Sequence, residues 1–394
     1  TYRVPIKTLP NFRDVLEGEI LTNQIRSLEL EDLLPRIRVG FDGQPALDLI
    51  QGQRVMVTGA GGSIGSELCR QIVTMAPAQL VLFERHENSL YAIDQELCSS
   101  ESGVDVVPVV GDVSERNSVI RTFEEFSPQI VFHAAAHKHV PLMETRPSEA
   151  VRNNIVGTRV LAEEALRTGV ERFILISSDK AADPSSVMGA TKRIAELIVQ
   201  NLSSAGKTRF SVVRFGNVLG SSGSVVPLFL DQIEKGGPVT VTHPDVRRYF
   251  MLIPEAVQLV LYAATLADSG AIYVLDMGDE FKILDLAHNL IRLAGYVPDE
   301  DIRIEITGLR PGEKLSEMLI GKGETLEAAV ADKTWRVSST DPSWEPAVLR
   351  SEIEHIESVA ADGTLAEVIS SLARLVPTLT QPLALAEDRS HEEV

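Results

Sequence analysis

Arg54-Val55-Met56-Val57-Thr58-Gly59-Ala60-Gly61-Gly62-Ser63-Ile64-Gly65 decides how the rest of this chain is read. Val55–Thr58 is an apolar, β-branched run of strand length, and the stretch Ser63–Met75 that follows has helical spacing. Glycines stand between and inside them at positions 59, 62 and 65. A strand that turns through glycines directly into a helix lets backbone approach a pyrophosphate closely. The first helical residues, Ser63 and Ile64, then face its charge with the positive end of the helix. The glycine pattern alone is weak evidence; its place between a strand and a helix gives it weight.

The same alternation continues outward. Strand-length runs at Leu80–Glu84, Val104–Val110, Ile130–Ala134, Phe173–Ser178 and Phe210–Phe215 are separated by helical stretches at Glu87–Ser99, Ser114–Phe126, Pro147–Thr168 and Ser186–Ala205. Nearly continuous apolar strands joined by helices imply an α/β fold: a doubly wound parallel sheet, buried on both faces, of order 3-2-1-4-5-6. After Phe215 the rhythm shortens. Helices at Pro254–Leu266 and Ile283–Leu293 alternate with strands near Val239–Thr242 and Ile272–Leu275, as in a smaller α/β lobe. The expected organisation is a connecting segment over 1–50, with a short helix at Ser27–Leu34, and a dinucleotide-binding domain over 51–215. A substrate lobe over 216–330 and a helical extension over 331–394, ending in an acidic tail from Glu387, complete it.

Composition narrows the function. The 394 residues exceed what one core usually fills. With 37 Lys+Arg against 56 Asp+Glu the net charge is −19, which excludes a phosphate-neutralising nucleic-acid partner and electrostatic docking to anionic lipid. No run of about 18 uncharged apolar residues is present, so no membrane contact is required by this chain. Cys69 and Cys98 suit reduced thiols in a reducing compartment. The first methionine is Met56, and Thr1 is expected to be a cut point within a longer protein.

Candidate ligands cluster at the carboxyl ends of the expected strands. Glu84 is placed to accept ribose hydroxyls, which favours NAD; Arg85 beside it would welcome a 2′-phosphate and keeps NADP as the alternative. Asp112 and Val113 follow the third strand, near adenine. Lys138, in the loop after the fourth, reaches cofactor or substrate, and Asn153 opens the next long helix. His133, His137 and His139 lack a fourth ligand, and no metal is expected. Ser177-Ser178-Asp179-Lys180 ends the fifth strand. Met188 and Lys192, four apart, share one face of the helix that follows.

The glycine spacing, Gly111-Asp112-Val113 and His133-Ala134-Ala135-Ala136 resemble the extended short-chain dehydrogenase/reductase family. That family pairs a Ser/Thr after strand five with Tyr-x-x-x-Lys, and here Met188 stands where the Tyr would be. With HAAAHKHVPLME, SSDKAADPSSVMGATKR, RFGNVLGSSGSVVPLF and LRPGEKLSEML, the chain is similar to the bacterial UDP-N-acetylglucosamine 4,6-dehydratases, specifically the larger, membrane-associated members.

The resemblance implies a cycle of C4 oxidation, water loss across C5 and C6, and hydride return to C6, feeding surface-glycan synthesis. In it Lys180 is the C5 base, Asp179 the acid at the C6 hydroxyl, Ser178 the relay for the O4 proton, Lys192 the cationic ribose contact and Met188 a packing residue. Ala134, Ala135 and Ala136 line the cofactor. Asn217, Val226, Pro227, Arg247, Arg248, Arg310 and Glu313 bind the UDP-sugar. It further implies a homo-oligomer, and a cytoplasmic region of an inner-membrane protein. The competing readings are a UDP-hexosamine 4-epimerase, which would normally use the missing Tyr, and a non-catalytic dinucleotide-binding regulator.

Overall fold

The computed structural model describes residues 43–99, 103–266, 268–327, 333–339 and 344–379, with a two-residue antiparallel pairing of Lys7–Thr8 and Arg26–Ser27. Apart from Ser27, the short helix expected at Ser27–Leu34 lies outside the described residues, as does the acidic tail. The chain forms two compact units. The larger holds Gly40–Gly216, Pro254–Asp276 and Arg310–Val394; the smaller holds Thr1–Val39, Asn217–Ile253 and Met277–Leu309.

The larger unit is built on a nine-stranded sheet. Its strands are β1 (Arg54–Thr58), β2 (Gln79–Glu84), β3 (Asp105–Val110), β4 (Ile130–His133), β5 (Arg172–Ile176), β6 (Arg209–Arg214), β7 (Ala271–Leu275), β8 (Glu324–Leu326) and β9 (Thr334–Ser339). From one edge the order is β3-β2-β1-β4-β5-β6-β7, all parallel, continued by antiparallel β9 and β8. The six expected strands thus stand in the doubly wound order, and three further strands extend the sheet.

Val55, Met56 and Val57 are fully buried, as are Val81, Phe83, Val131, Phe173 and Phe210. Helices on both faces cover central strands of this kind, which is why they carry apolar residues without alternation. The crossover helices are α1 (Ser63–Val73), α2 (Glu87–Cys98), α3 (Arg116–Phe126), α4 (Gly157–Thr168) and α5 (Val187–Leu202). Ser186 caps α5, its hydroxyl accepting the Gly189 N–H at 3.1 Å. The single helix expected over Pro147–Thr168 is instead a short helix, Pro147–Ala150, a π-helical turn over Val151–Val156, and then α4. The wider turn brings Asn153 and Asn154 inside, where both are buried.

Two differences follow from pairing that local pattern does not reveal. The stretch expected as one lobe over 216–330 is divided between the units. Its helix Ile253–Thr265 falls almost wholly in the larger unit, and its strand β7 pairs there with β6. The extension expected to be helical from 331 begins with strand β9, antiparallel to β7. Only then come α6 (Pro346–Asp362) and α7 (Leu365–Leu375), which pack Leu349, Ile353, Ile356 and Leu372 into a cluster with Ile194 and Ile198 of α5. A bidentate ion pair from Arg159 to Glu357, 2.6 Å on each arm, ties α6 to α4.

The smaller unit has its own core around Phe229, Val241, Phe250 and Leu290. Val239–Val241 pairs in parallel with Ile304–Ile306, and Arg247–Met251 lies between Glu280–Lys282 and Asn217–Val218. Among the described residues no helix is long and apolar enough to cross a membrane.

Leu372 of α7 is fully buried in the cluster shared with α5 and α6. Leu372→Ala should lower unfolding stability by about 2–5 kcal/mol in a denaturant titration. A loss below about 0.5 kcal/mol would mean that the terminal helices are not part of the core.

Candidate functional site

The carboxyl ends of β1, β2 and β4 open onto a cleft of about 220 Å³ lined by Gly59, Gly62, Glu84, Arg85, Val113, Ala134, Ala135, Ala136 and Asn153, among others. Gly59 has φ +68°, and a Cβ there would lie 2.7 Å from the Ala135 amide nitrogen. At Gly65 a Cβ would collide with the Gly59 carbonyl oxygen. Any side chain at either position would push the turn away from β4 or α1, so only glycine keeps the backbone tight against the space where a phosphate would sit. Ser63 and Ile64 form the first turn of α1 and are half-buried. These features fit a dinucleotide cradle.

The Glu84 carboxylate is buried and already accepts two backbone N–H groups, from Gly61 at 3.2 Å and His86 at 3.0 Å. It therefore stiffens the glycine turn as well as facing the cleft. Arg85 is exposed and lies 3.3 Å from His137 Nε2 and 3.8 Å from Asp112. Burial would raise the Asp112 pKa, but hydrogen bonds from the Ser114 N–H and hydroxyl, with Arg85 nearby, outweigh it and leave the carboxyl more acidic than usual.

Asn154 fixes the loop after β4. Its Oδ1 accepts the His137 N–H at 2.8 Å, and its Nδ2 donates to the His137 carbonyl and to Thr191 Oγ1, both at 3.0 Å. His133 is held by Thr58 at 2.8 Å and Thr158 at 2.9 Å, and burial, with Lys192 nearby, pushes its pKa down to about 3. Both ring nitrogens are occupied, and the imidazole serves as a neutral crosslink between β1, β4 and α4. Lys138 is exposed in this loop.

Beyond β5, Ser178 begins a 3-10 turn over Asp179–Ala181. Asp179 is fully buried. Its Oδ1 accepts from the Ser178 hydroxyl at 2.8 Å and from Lys180 Nζ at 3.0 Å. Its Oδ2 is buried with no hydrogen-bond partner among the described residues. The three residues singled out in the sequence thus share one carboxylate, with one acceptor atom left over. Lys192 is buried and donates to the Ile176 carbonyl at 2.5 Å. Burial lowers its pKa to about 8, against the opposing pull of Glu196. Met188 is buried in the apolar cluster with Met143 and the α6 and α7 side chains.

The Arg310–Pro311–Gly312–Glu313 segment meets the loop that follows the turn. Ser185 donates to the Gly312 carbonyl at 3.2 Å, and Lys314 Nζ donates to the Asp183 carbonyl at 2.6 Å. Arg310 is exposed, and its N–H donates to Glu313 at 3.2 Å. Glu144 accepts the Val187 N–H at 2.7 Å at the start of α5, and burial raises its pKa. A buried carboxylate absent from the sequence reading, Glu317, lies 4.0 Å from Lys180 Nζ.

A buried ionic cluster was also missed: Glu196, Arg214 and Glu324, with Arg193 beside them. One signal for it is legible. Arg214 is the charged residue inside the apolar run Val212-Val213-Arg214-Phe215, and a charge inside a central strand needs buried partners.

The remaining substrate candidates belong to the smaller unit. Asn217 lies beyond β6, which stops at Arg214, and begins a separate short strand paired with Phe250. Val226 is fully buried in that unit's core and Pro227 is half-buried. Arg247 is exposed, whereas Arg248 is buried and donates to the Arg247 carbonyl at 2.7 Å.

The family model described as "Polysaccharide biosynthesis protein" matches residues 55–339. The chain is 52% identical over 335 residues to the capsular polysaccharide biosynthesis protein CapD of Staphylococcus aureus, covering 84% of this chain and 56% of CapD. It thus spans little more than half the length of that relative. It is 31% identical over 284 residues to an inverting UDP-N-acetylglucosamine 4,6-dehydratase of Campylobacter jejuni, covering 70% of this chain and 80% of the relative. The solved structure of Pen from Bacillus thuringiensis aligns with a TM-score of 0.67 at 30% identity, covering 75% of this chain and 89% of Pen. The sheet order, the glycine turn and these matches agree: the chain belongs to the polysaccharide biosynthesis protein family and has the Rossmann architecture of the short-chain dehydrogenase/reductase dehydratases and epimerases.

Proposed function

We propose that the chain is the catalytic region of an NAD-dependent 4,6-dehydratase that converts UDP-N-acetylglucosamine to a UDP-4-keto-6-deoxy-N-acetylhexosamine. The observation that carries this reading is the buried Asp179 carboxylate, with one oxygen shared by Ser178 and Lys180 and the other unpartnered. An epimerase needs a proton acceptor at O4 and nothing at C5 or C6. A base and an acid held together after strand β5 suit elimination of water beside a ketone. The similarity to the Campylobacter UDP-N-acetylglucosamine 4,6-dehydratase supports the same chemistry.

The nicotinamide, when bound, supplies a reversible hydride acceptor for C4 and a hydride donor for C6. The chain's own residues supply the rest. Lys192, a cation below about pH 8, lowers the cost of negative charge at O4 as its proton leaves. Ser178 relays that proton to solvent water, and Lys180, protonated by taking the C5 hydrogen, returns a proton to C5 when hydride reaches C6. The hydrogen bond from Lys180 Nζ to Asp179 Oδ1 already lies along the path that prepares the pair. Moving its proton to Asp179 leaves a neutral amine and a neutral acid, the forms needed at C5 and at the departing C6 hydroxyl.

Met188 packs where the family's tyrosine would stand. Glu84 takes the adenosine ribose hydroxyls, with Arg85, Asp112, Val113, Ala134, Ala135, Ala136, Lys138 and Asn153 along the dinucleotide. In the larger unit, Arg310 and Glu313 contribute to binding the UDP.

Two outcomes test the assignment. In deuterated buffer, Lys180→Ala should lose solvent exchange at C5 by at least about 100-fold, whereas Asp179→Asn should still form 4-keto sugar but stall before water loss. Wild-type exchange in Lys180→Ala would remove the lysine from the mechanism. The second outcome is a pH profile. Lys192 is charged below about pH 8 and neutral above it, so 4-keto formation should fall as pH rises through about 8. That limb should disappear in Lys192→Met, and a limb that persists there belongs to another group.

A further inference from the structure

We infer that the buried cluster of Ser177, Glu196, Arg214 and Glu324 is a positioning device for the Ser178–Asp179–Lys180 turn. The inference rests on the proposed role of that turn. Arg214 is fully buried at the end of β6. Its guanidinium makes two bidentate pairs, to Glu196 at 2.7 and 2.6 Å and to Glu324 at 2.6 and 3.0 Å. Glu196, fully buried on α5, also accepts the Ser177 hydroxyl at 2.6 Å, and Arg193 completes the set at 3.0 Å from Glu196 and 3.4 Å from Glu324. Two arginines face two carboxylates. Burial alone would raise the Glu196 pKa, but Arg214, Arg193 and Ser177 outweigh it and hold it at about 2.

Such a cluster is a poor source of stability, because desolvating four charges offsets most of their attraction, and apolar replacements of buried pairs are often neutral or better. What it supplies is geometry. The residues on either side of Arg214 carry the turn: the Val213 carbonyl accepts the Ser177 N–H at 2.8 Å and the Phe215 carbonyl accepts the Asp179 N–H at 3.0 Å. The planar guanidinium admits one orientation of Glu196, and Glu196 admits one position of Ser177, the residue before the turn.

The other arm reaches the segment that meets Asp183, just after the turn. Glu324 accepts the Gly321 N–H at 2.8 Å, and Lys322 N–H donates to Asp183 at 2.8 Å. This anchors the segment that carries Glu317, 4.0 Å from Lys180 Nζ. One arginine therefore fixes strand β5, helix α5 and the 310–324 segment around the proposed acid and base. None of these four side chains lines the dinucleotide cleft.

The test compares Ser177→Ala, Glu324→Gln and the conservative Ser177→Thr in the full chain. It reads kcat and KM for UDP-N-acetylglucosamine, the Kd for NAD+, and local amide hydrogen exchange. Ser177→Ala and Glu324→Gln should each lower kcat by about 10- to 100-fold, with KM and the NAD+ Kd held within about twofold. Ser177→Thr, which keeps the hydroxyl, should stay within about threefold of wild type. Amide protection should fall at 177–183 and 310–324 and stay unchanged around 59–65. Unchanged kcat in both variants would overturn the inference. So would a parallel loss of kcat, NAD+ binding and protection throughout the chain, which would make the cluster a general structural support. If wild-type protein leaves UDP-N-acetylglucosamine untouched, the substrate reading fails separately, and hydrogen exchange alone decides. Loss confined to the two segments with NAD+ affinity retained supports positioning; loss everywhere, or nowhere, contradicts it.

Discussion

Parallel pairing of β1 with β2 and β4, and of β5 with β4 and β6, is the constraint on which the functional half of the molecule depends. Parallel neighbours cannot be joined by a tight hairpin. Each crossover must climb back over a face of the sheet, and every strand of the run then ends on the same edge. Gly59, Glu84, Ala134, Ser178 and Gly216 stand at or just beyond those ends because the topology leaves them nowhere else to be. A ligand gathered there meets residues that are far apart in sequence but in register in the sheet.

Burying charge at such an edge is costly unless each group has partners, and the chain solves this in two ways. Arg214, Glu196 and Glu324 pair with one another and, through Arg193, Ser177 and the Gly321 N–H, with their surroundings, so their charges are fixed. Asp179, nearby in the same unit, is satisfied on one oxygen only, and Lys192 is a buried amine whose pKa falls to about 8. The first arrangement locks geometry. The second leaves an acceptor and a titratable cation available for chemistry, and groups of that kind concentrate at functional sites.

The fold was legible because apolar runs without alternation identify strands buried on both faces, and the glycines at 59, 62 and 65 have few other uses between a strand and a helix. The added strands β7, β8 and β9 were not legible as part of the sheet. Ala271–Leu275 has the composition of any short strand, and only its long-range pairing with β6 assigns it to the larger unit. The π turn at Val151–Val156 was hidden for a related reason, since its residues keep helical propensity and the extra residue is forced by tertiary contacts of Asn154. At the candidate site, the cluster of Ser178, Asp179 and Lys180 could be read from adjacent letters. Glu196 and Glu324 could not, because their partner is a strand residue far from both in sequence.

The most direct measurement is to incubate the purified chain with UDP-N-acetylglucosamine and NAD+ and follow the nucleotide sugar by mass spectrometry and the cofactor by absorbance. The account predicts a product lighter by the mass of one water, with no net accumulation of NADH, because the hydride taken from C4 returns to C6. A sugar of unchanged mass carrying a new C4 configuration would contradict it and make the chain an epimerase.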